Sequence, residues 1–573
     1  MKRRRILGLS VIIAAVVVAS VASWAGAKGS AASALPRADT LYTTGTMWGP
    51  YSDFNPFKNW DYVTGTVGLV YETPFRYDPL ADKWIPWLAT SGSWTSKNVY
   101  TMTVRSGVKW SDGQALTPAD FKFTWETMKN PNHPGHTVWA NGLKSVTTSG
   151  NKVKFTFSGT PTYQEWTIGL YQTPIVPQHI WKNYSATDIV SGNLGDTSKL
   201  IGTGPMVYMS GKDSNENFVW QKRSGWWATS ALKLNVTPKY IVDIYNGSNS
   251  ASLANLLAGN IDLSNNFVPG IDQQVGGNIQ TYFKGAPFML SANTAWLVPN
   301  TTEPPLNDPK FRKALADSIN VARIVNADYG NIVTAANPTG LLPIWSKYVD
   351  KKLVSQYGFK YSLHDAKALL KSGGYKDVNG DGYVENKDGS KIDLSLIVPN
   401  GWSDWMTAIQ IIADSAKDAG IKITPAYPDY NTLVDNRGHA KFDLVIANDK
   451  QISSTPWEYY DYMFHLPILD NQTTVNYQRF NDPTAWNLVK QLDKTNPSNV
   501  AGMKSVLSKL EKIQLQQLPL IPLWYNGAWA QWNTTHWKSW PSSTGKGMQN
   551  LPIMWRNYLQ MTGINMLTNL KKA

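Results

Sequence analysis

Residues 104–126 read VRSGVKWSDGQALTPADFKFTWE. Just before and into this run, Tyr100, Met102 and Val104 alternate with polar neighbours, the period of a strand with one buried face. Ser111-Asp112-Gly113 is a turn signal. Thr117 then suits a helix N-cap, Pro118 the first helical position and Asp120 the third, from which an acidic side chain can reach back to the cap. Read on its own, the stretch is a strand, a turn and a well-capped helix, with no chemistry of its own.

The whole chain of 573 residues is too long for one core, so two or three domains are expected. At 42% hydrophobic and 17% charged the chain is globular. It has no cysteine, which excludes disulfides, thiolate metal sites, a thiol nucleophile and a lipid-anchoring cysteine. The net charge is +13, and Lys2, Arg3, Arg4, Arg5 and Lys28 contribute five of the positive charges. No dense basic run follows, so a nucleic-acid partner is not expected. A moderately basic protein near an anionic envelope is the simpler reading.

Those early cations precede an apolar run from Ile6 to Ala25, and Ala32-Ser33-Ala34 fits a cleavage site, with Ala25-Gly26-Ala27 as a second candidate. Residues 1–34 therefore read as a signal peptide or, uncut, an N-terminal anchor. The protein is expected to be exported, periplasmic or at the cell surface, and not a cysteine-anchored lipoprotein. The 26 Trp, 27 Tyr and 16 Phe are the unusual feature. An indole needs a partner for its N–H when buried, so most of these rings are expected in cores and some on a ligand cleft.

Further along, Leu253, Leu256 and Leu257 fall at helical spacing before Gly259. Asp308-Pro309 opens a helix with Phe311, Leu315 and Ile319 on one face. Ser362 and Asp365 cap another that stops at Gly373-Gly374. Ile392, Leu394, Leu396 and Val398 alternate as a strand. A helix over 403–419 follows, with Gly420 just past its end, then strands around Ile421–Ile423 and Phe442–Ile446. This alternation predicts an α/β lobe.

The opening stretch resembles the signature of family 5 extracytoplasmic solute-binding proteins, the receptors of ABC importers for peptides, nickel and oligosaccharides. Arg105, Gly107, Val108, Trp110, Ser111, Asp112, Gly113, Leu116, Thr117 and Asp120 carry the match. Other blocks follow in family order: Glu72-Thr73-Pro74-Phe75, Gly202-Thr203-Gly204-Pro205, Leu256 to Asp262, Leu306 to Leu315, and Leu518 to Leu523. The resemblance implies an α/β fold like the type II periplasmic-binding proteins, with two lobes, an extra inserted domain (three domains in all) and ligand in the interlobe cleft. Domain I is expected to be discontinuous, from 35–75, 200–295 and 520–573. Domain II is the insertion, 76–199, and domain III is the second lobe, 296–519. The lobes are expected to close by a hinge.

Ligands of α/β sheets sit beyond the C-terminal ends of strands. That selects Asn400, Trp402, Asp404 and Trp405 after one strand, Asn448 and Asp449 with Trp457, Glu458 and Tyr459 after another, Trp524 and Tyr525 in the last block, and Trp48 and Phe57 in the early loop. Flat rings beside Asn, Asp and Glu suit the apolar faces and hydroxyl rims of sugars, and the runs look like the oligosaccharide (cellobiose-type) branch of the family. A β-glucan-like oligosaccharide is the expected ligand. An oligopeptide is the alternative, since Asp449 could hold an α-ammonium as the family's peptide receptors do with an Asp. A glycoside hydrolase is the distant one, with Glu458 paired to Asp404 or Asp461. An ABC permease is the implied partner, a monomer is expected, and no cofactor is required. One structural calcium is a further candidate. Asp377, Asn379, Asp381, the Tyr383 backbone and Asp388 follow a D-x-N-x-D-G pattern, with Asp388 where a longer Glu would close an EF-hand loop.

Overall fold

The computed structural model describes residues 35–45, 53–58, 63–78, 80–81, 83–191, 200–209, 217–544, 561 and 563–573. Trp48 and residues 1–34 lie outside them. The opening stretch forms as its pattern predicts. The strand Val99–Val104 buries Met102 and Val104. Gly113 makes the turn with φ +90°, and the helix Pro118–Thr127 follows. Asp120 Oδ2 accepts from the Thr117 backbone N–H at 2.8 Å, while Oδ1 accepts from the Gln178 N–H at 2.9 Å. The capping carboxylate thus also fixes a second short helix, Gln178–Trp181.

Among the described residues three larger sheets stand out. A four-stranded antiparallel sheet joins Ala89–Ser96, Val99–Val104, Lys152–Phe157 and Leu143–Ser149 in that order. A seven-stranded sheet has Thr40–Thr44 at its middle, parallel to Tyr240–Ile244 on one side and Leu263–Ser264 on the other. A six-stranded sheet carries the predicted α/β unit. Its strand Leu394–Ile397 lies parallel to Ile423–Ala426 and to Leu444–Ala447, with the helix Ser403–Asp418 between the first two in the chain. Gly420 follows this helix with φ +88°, the left-handed turn that a glycine takes without strain. This is the mixed α/β architecture of the type II binding proteins, two lobes and an additional sheet.

Strand Leu290–Pro299 pairs with Ile521–Ala528 and with Leu444–Ala447 inside the six-stranded sheet. The expected division at 296 falls inside the first of these strands and the one at 520 just before the second, and both strands belong to the six-stranded sheet. The four-stranded and seven-stranded sheets share one apolar cluster, in which Leu41 and Ile241 join Phe121, Trp125 and Phe155. A second cluster combines Leu256, Phe267 and Ile271 from around the seven-stranded sheet with Leu396, Ile409 and Ile412 from the six-stranded one. The two lobes therefore meet along a continuous apolar seam.

Much of the tryptophan is structural. Trp87, Trp110, Trp125, Trp166, Trp181, Trp220, Trp296, Trp345, Trp524, Trp532 and Trp537 are fully buried. At the join of the first two sheets, three indoles converge on one buried carboxylate. Trp87 and Trp226 donate to Glu72 Oε1 at 2.9 and 3.3 Å, and Trp227 donates to Oε2 at 2.8 Å. Burial raises the Glu72 pKa, and the three indole donors oppose the rise. The Arg76 guanidinium lies 4.1 Å over the Trp87 ring, and Arg105 lies 5.0 Å over Trp227. The Gly202-Thr203-Gly204 block threads beside this node. A Cβ on either glycine would strike the Val70 or Leu69 carbonyl, so close backbone approach explains both glycines.

Candidate interlobe ligand site

The loops that leave the parallel strands Tyr240–Ile244 and Leu394–Ile397 meet each other. In the first lobe, Ser248 caps the helix Asn249–Leu257, its Oγ accepting from the Ala251 N–H at 3.1 Å. In the second, Trp402 precedes the helix Ser403–Asp418. The Asn249 amide donates to Asp404 Oδ1 at 3.2 Å and to Ser403 Oγ at 3.3 Å. Asp404 Oδ2 accepts from the Tyr329 hydroxyl at 3.2 Å. These contacts bring the C-terminal edges of the two sheets together, where an α/β fold places its ligand.

Amides dominate the meeting of the lobes. On the first-lobe side Asn266 donates to Asn249 Oδ1 at 2.9 Å and accepts from Ser264 Oγ at 2.5 Å. Ser252 Oγ donates to Asn246 Oδ1 at 2.7 Å. On the second-lobe side Asn448 donates to Asn293 Oδ1 at 3.3 Å, and Asn293 donates to Gln451 Oε1 at 3.0 Å. Asn526 stands opposite Asn293 in the strand register.

Two carboxylates here, Asp404 and Asp449, are engaged, while Asp328 Oδ2 is buried without a hydrogen-bond partner. Burial pushes Asp404 up to about 6, with the helix amides, Tyr329 and Asn249 opposing the rise. Asp328 is pushed up to about 9 by burial and by the neighbouring Asp404 charge. Asp449 is held by the Arg437 guanidinium at 3.1 Å, and the Tyr477 hydroxyl donates to its Oδ1 at 3.4 Å. Arg437 also lies 4.2 Å over the Tyr477 ring.

Of the aromatic candidates, Trp402 and Trp457 are half-buried. Trp402 is edge-on to Trp405 at 4.8 Å and near-parallel to Tyr430 at 6.1 Å. Trp457 packs against the cluster that holds Trp345 and Tyr459, and its indole nitrogen is buried without a hydrogen-bond partner. Four others are corrected to core positions. Trp405, Tyr459 and Trp524 are buried in the second-lobe clusters, and Tyr525 is buried with its hydroxyl donating to the Leu341 carbonyl at 2.8 Å. The strand Ile521–Ala528 is buried at every position, which places its aromatics in the core. Phe57 is likewise core, edge-on to His133 at 4.7 Å and Trp181 at 5.5 Å. Asn400 is exposed in the loop before its helix, and Glu458 is buried in the helix Trp457–Phe464.

A family model of bacterial extracellular solute-binding proteins, family 5 middle, matches residues 83–468. The chain belongs to this family. Over 94% of its length the family 5 protein is 38% identical to a solved periplasmic oligopeptide-binding protein of an ABC transporter from Thermotoga maritima, of which it covers 99%, with a TM-score of 0.88. That structure holds mannohexaose. The oligopeptide-binding protein OppA of Lactococcus lactis subsp. lactis is 24% identical over 74% of this chain and 73% of its own length. The Bacillus subtilis AppA, solved with a nonapeptide, shares the fold at 19% identity and a TM-score of 0.74, over 93% of this chain and 99% of its own. Proteins of this family are extracytoplasmic binding components of ABC transporters, not enzymes, which removes the glycosidase alternative. Among the described residues no helix is long and apolar enough to cross a membrane.

Sequence reasoning passed over several groups in the family 5 protein's site. Trp529 is half-buried, edge-on to Phe267 at 5.4 Å and parallel to Tyr329 at 6.2 Å. Asn249, Asn266, Asn293 and Gln451 lay in no recognised motif. For Trp529 the signal was present, in the aromatic run after Leu523. For the amides only the fold supplies one.

The calcium-like loop closes differently from its pattern. Asp377, Asp381 and Glu385 bring one oxygen each within 4.8 Å of one another. Asn379 donates to Glu385 Oε1 rather than turning inward as an acceptor, and the Tyr383 N–H donates to Asp381 Oδ1 at 3.0 Å. Asp388 instead accepts from the Ser390 N–H at 2.9 Å and hydroxyl at 2.7 Å. Glu385 takes the closing role because bridges to Lys376 and Lys391 draw it back over the loop.

Proposed function

We propose that this family 5 receptor captures an oligosaccharide between its lobes and delivers it to an ABC permease. The observation that carries the reading is the concentration of amides where the lobes meet: Asn249, Asn266, Asn293, Asn448 and Gln451 hydrogen-bond to one another and to Asp404, and Asp449 is held by Arg437. Amides donate and accept at once, as sugar hydroxyls do. A peptide α-ammonium instead needs an uncommitted carboxylate, and Asp328, with Oδ2 buried and unpartnered beside Asp404, is the group that would serve the peptide reading. Trp402, Trp457 and Trp529 supply flat apolar faces. The mannohexaose in the Thermotoga maritima relative supports the same class. The names of the curated relatives favour a peptide as the second reading. Titration of intrinsic fluorescence with linear hexose oligomers and with di- to nonapeptides separates them. Saturable binding of peptides with no response to any sugar rejects the oligosaccharide.

The receptor is proposed to act as a monomer, exported by residues 1–34, which are cleaved or remain as an anchor. Domain I is proposed to hand over to domain III near 289 and to resume near 529, where the strand pairing changes sheet. A structural calcium at Asp377, Asp381 and Glu385 is the cofactor reading, its role confined to the loop.

A further inference from the structure

We propose that Asn249 is a positioning residue for lobe closure, the first-lobe half of a clasp that populates the closed arrangement before ligand arrives. Its amide spans the interlobe seam to two groups on one helical turn, Asp404 Oδ1 at 3.2 Å and Ser403 Oγ at 3.3 Å. Each end of the clasp is fixed from behind within its own lobe. Asn249 Oδ1 accepts from Asn266, and Asp404 Oδ2 accepts from Tyr329. Rotamer freedom is therefore already spent before the lobes meet, so little entropy is lost when the bond forms.

The electrostatics favour the same contact. Asn249 occupies the first position of its helix and Asp404 the second of its own. Two helix N-termini, each carrying partial positive charge, face across the seam, and the Asp404 carboxylate lies between them. Backbone approach is also close, since a Cβ on Gly401 would stand 3.9 Å from the Gly247 carbonyl oxygen. Both Asn249 and Asp404 are buried, at 2% and 5% exposure. When the lobes part, water can replace the bond, so the clasp biases a two-state equilibrium without locking it. The closed fraction it sets scales the apparent affinity for any ligand, and this inference holds whether that ligand is a sugar or a peptide.

The absence of cysteine in the chain permits a clean test. Spin labels at Leu257→Cys and Val434→Cys, both exposed and one in each lobe, report the interlobe distance in the full chain without ligand. The unliganded parent should show a short-distance population. Asn249→Asp sets two carboxylates against each other and should deplete it about tenfold. Adding Asp404→Asn restores an amide–carboxylate pair of reversed polarity, which Asn266 and Tyr329 can still support, and should bring the population back. Asn249→Ala, which only removes the bond, should fall between. A purely structural role would lower the melting temperature and leave the distances alone. A parent with no short population, or coincident distributions in all variants, overturns the proposal.

Discussion

Around Glu72 and around Asp404 the chain uses the same residue types, aromatic rings beside a buried carboxylate, for opposite ends. At Glu72 three indole N–H groups satisfy both oxygens, the rings are buried, and the carboxylate joins the four-stranded sheet to the seven-stranded one. At Asp404 the partners are an amide and a phenol, and the neighbouring rings Trp402 and Trp529 are half-exposed. Burial raises the pKa of both carboxyls. The difference lies in what surrounds the carboxylate. Indole donors buried on all sides make a permanent joint, whereas amides on two separable faces leave polar groups that water or a ligand can satisfy in turn.

The sharpest break of this contrast is Glu72→Leu. It leaves three buried indole donors without an acceptor and should cost about 3 kcal/mol or more of stability, read as a lowered midpoint in urea denaturation. A midpoint within error of the parent would show that the indoles do not depend on the carboxylate. The complementary change is Trp402→Ala or Trp529→Ala. Each should weaken oligosaccharide binding by roughly 1–3 kcal/mol with little change in melting temperature. If stability falls and affinity holds, the cleft rings belong with the Glu72 type.

The acidic loop provides a smaller effect, outside both regions. Calcium at a tenfold excess over its Kd should stabilise the fold by about 1.4 kcal/mol, an increment abolished by Glu385→Gln and kept in Asp388→Ala. Equal loss in both variants would return Asp388 to the ligand set.

A further expected change is with pH. Asp404 is raised to about 6, Glu511 to about 7 and Asp328 to about 9, each by burial first. The Glu165 and Asp493 carboxyls, packed against each other, are raised too, again by burial first. A carboxyl whose native pKa exceeds its unfolded value stabilises the fold while protonated. That contribution is complete below about pH 4 and is lost as the pH rises through the native values. The melting temperature should therefore fall by a few degrees between pH 5 and pH 9, and Asp328→Asn should flatten the upper part of the slope. A melting temperature that rises over this range contradicts the assignment.

Local pattern determined a good deal by itself. The strand–turn–helix at 99–127 forms as read, because a period-2 alternation, a positive-φ glycine and an N-cap act within a few residues of one another. The helices at 309–318, 363–373 and 403–418 were legible for the same reason, and the ordered blocks pointed to the family. Only the tertiary structure decided which aromatics face a cleft. Trp402 and Trp405 touch at 4.8 Å, yet Trp402 is the cap residue before the helix and only half-buried, whereas Trp405 lies inside the helix and is covered by the core that the sheet builds against it. Trp524 and Trp529 differ for a related reason: the strand holding Trp524 is covered on both faces, and Trp529 lies just past its end. The amides at the seam come from loops, a helix start and strands up to 280 residues apart, Asn246 to Asn526, and no local signal records a juxtaposition that exists only once two sheets have folded and met.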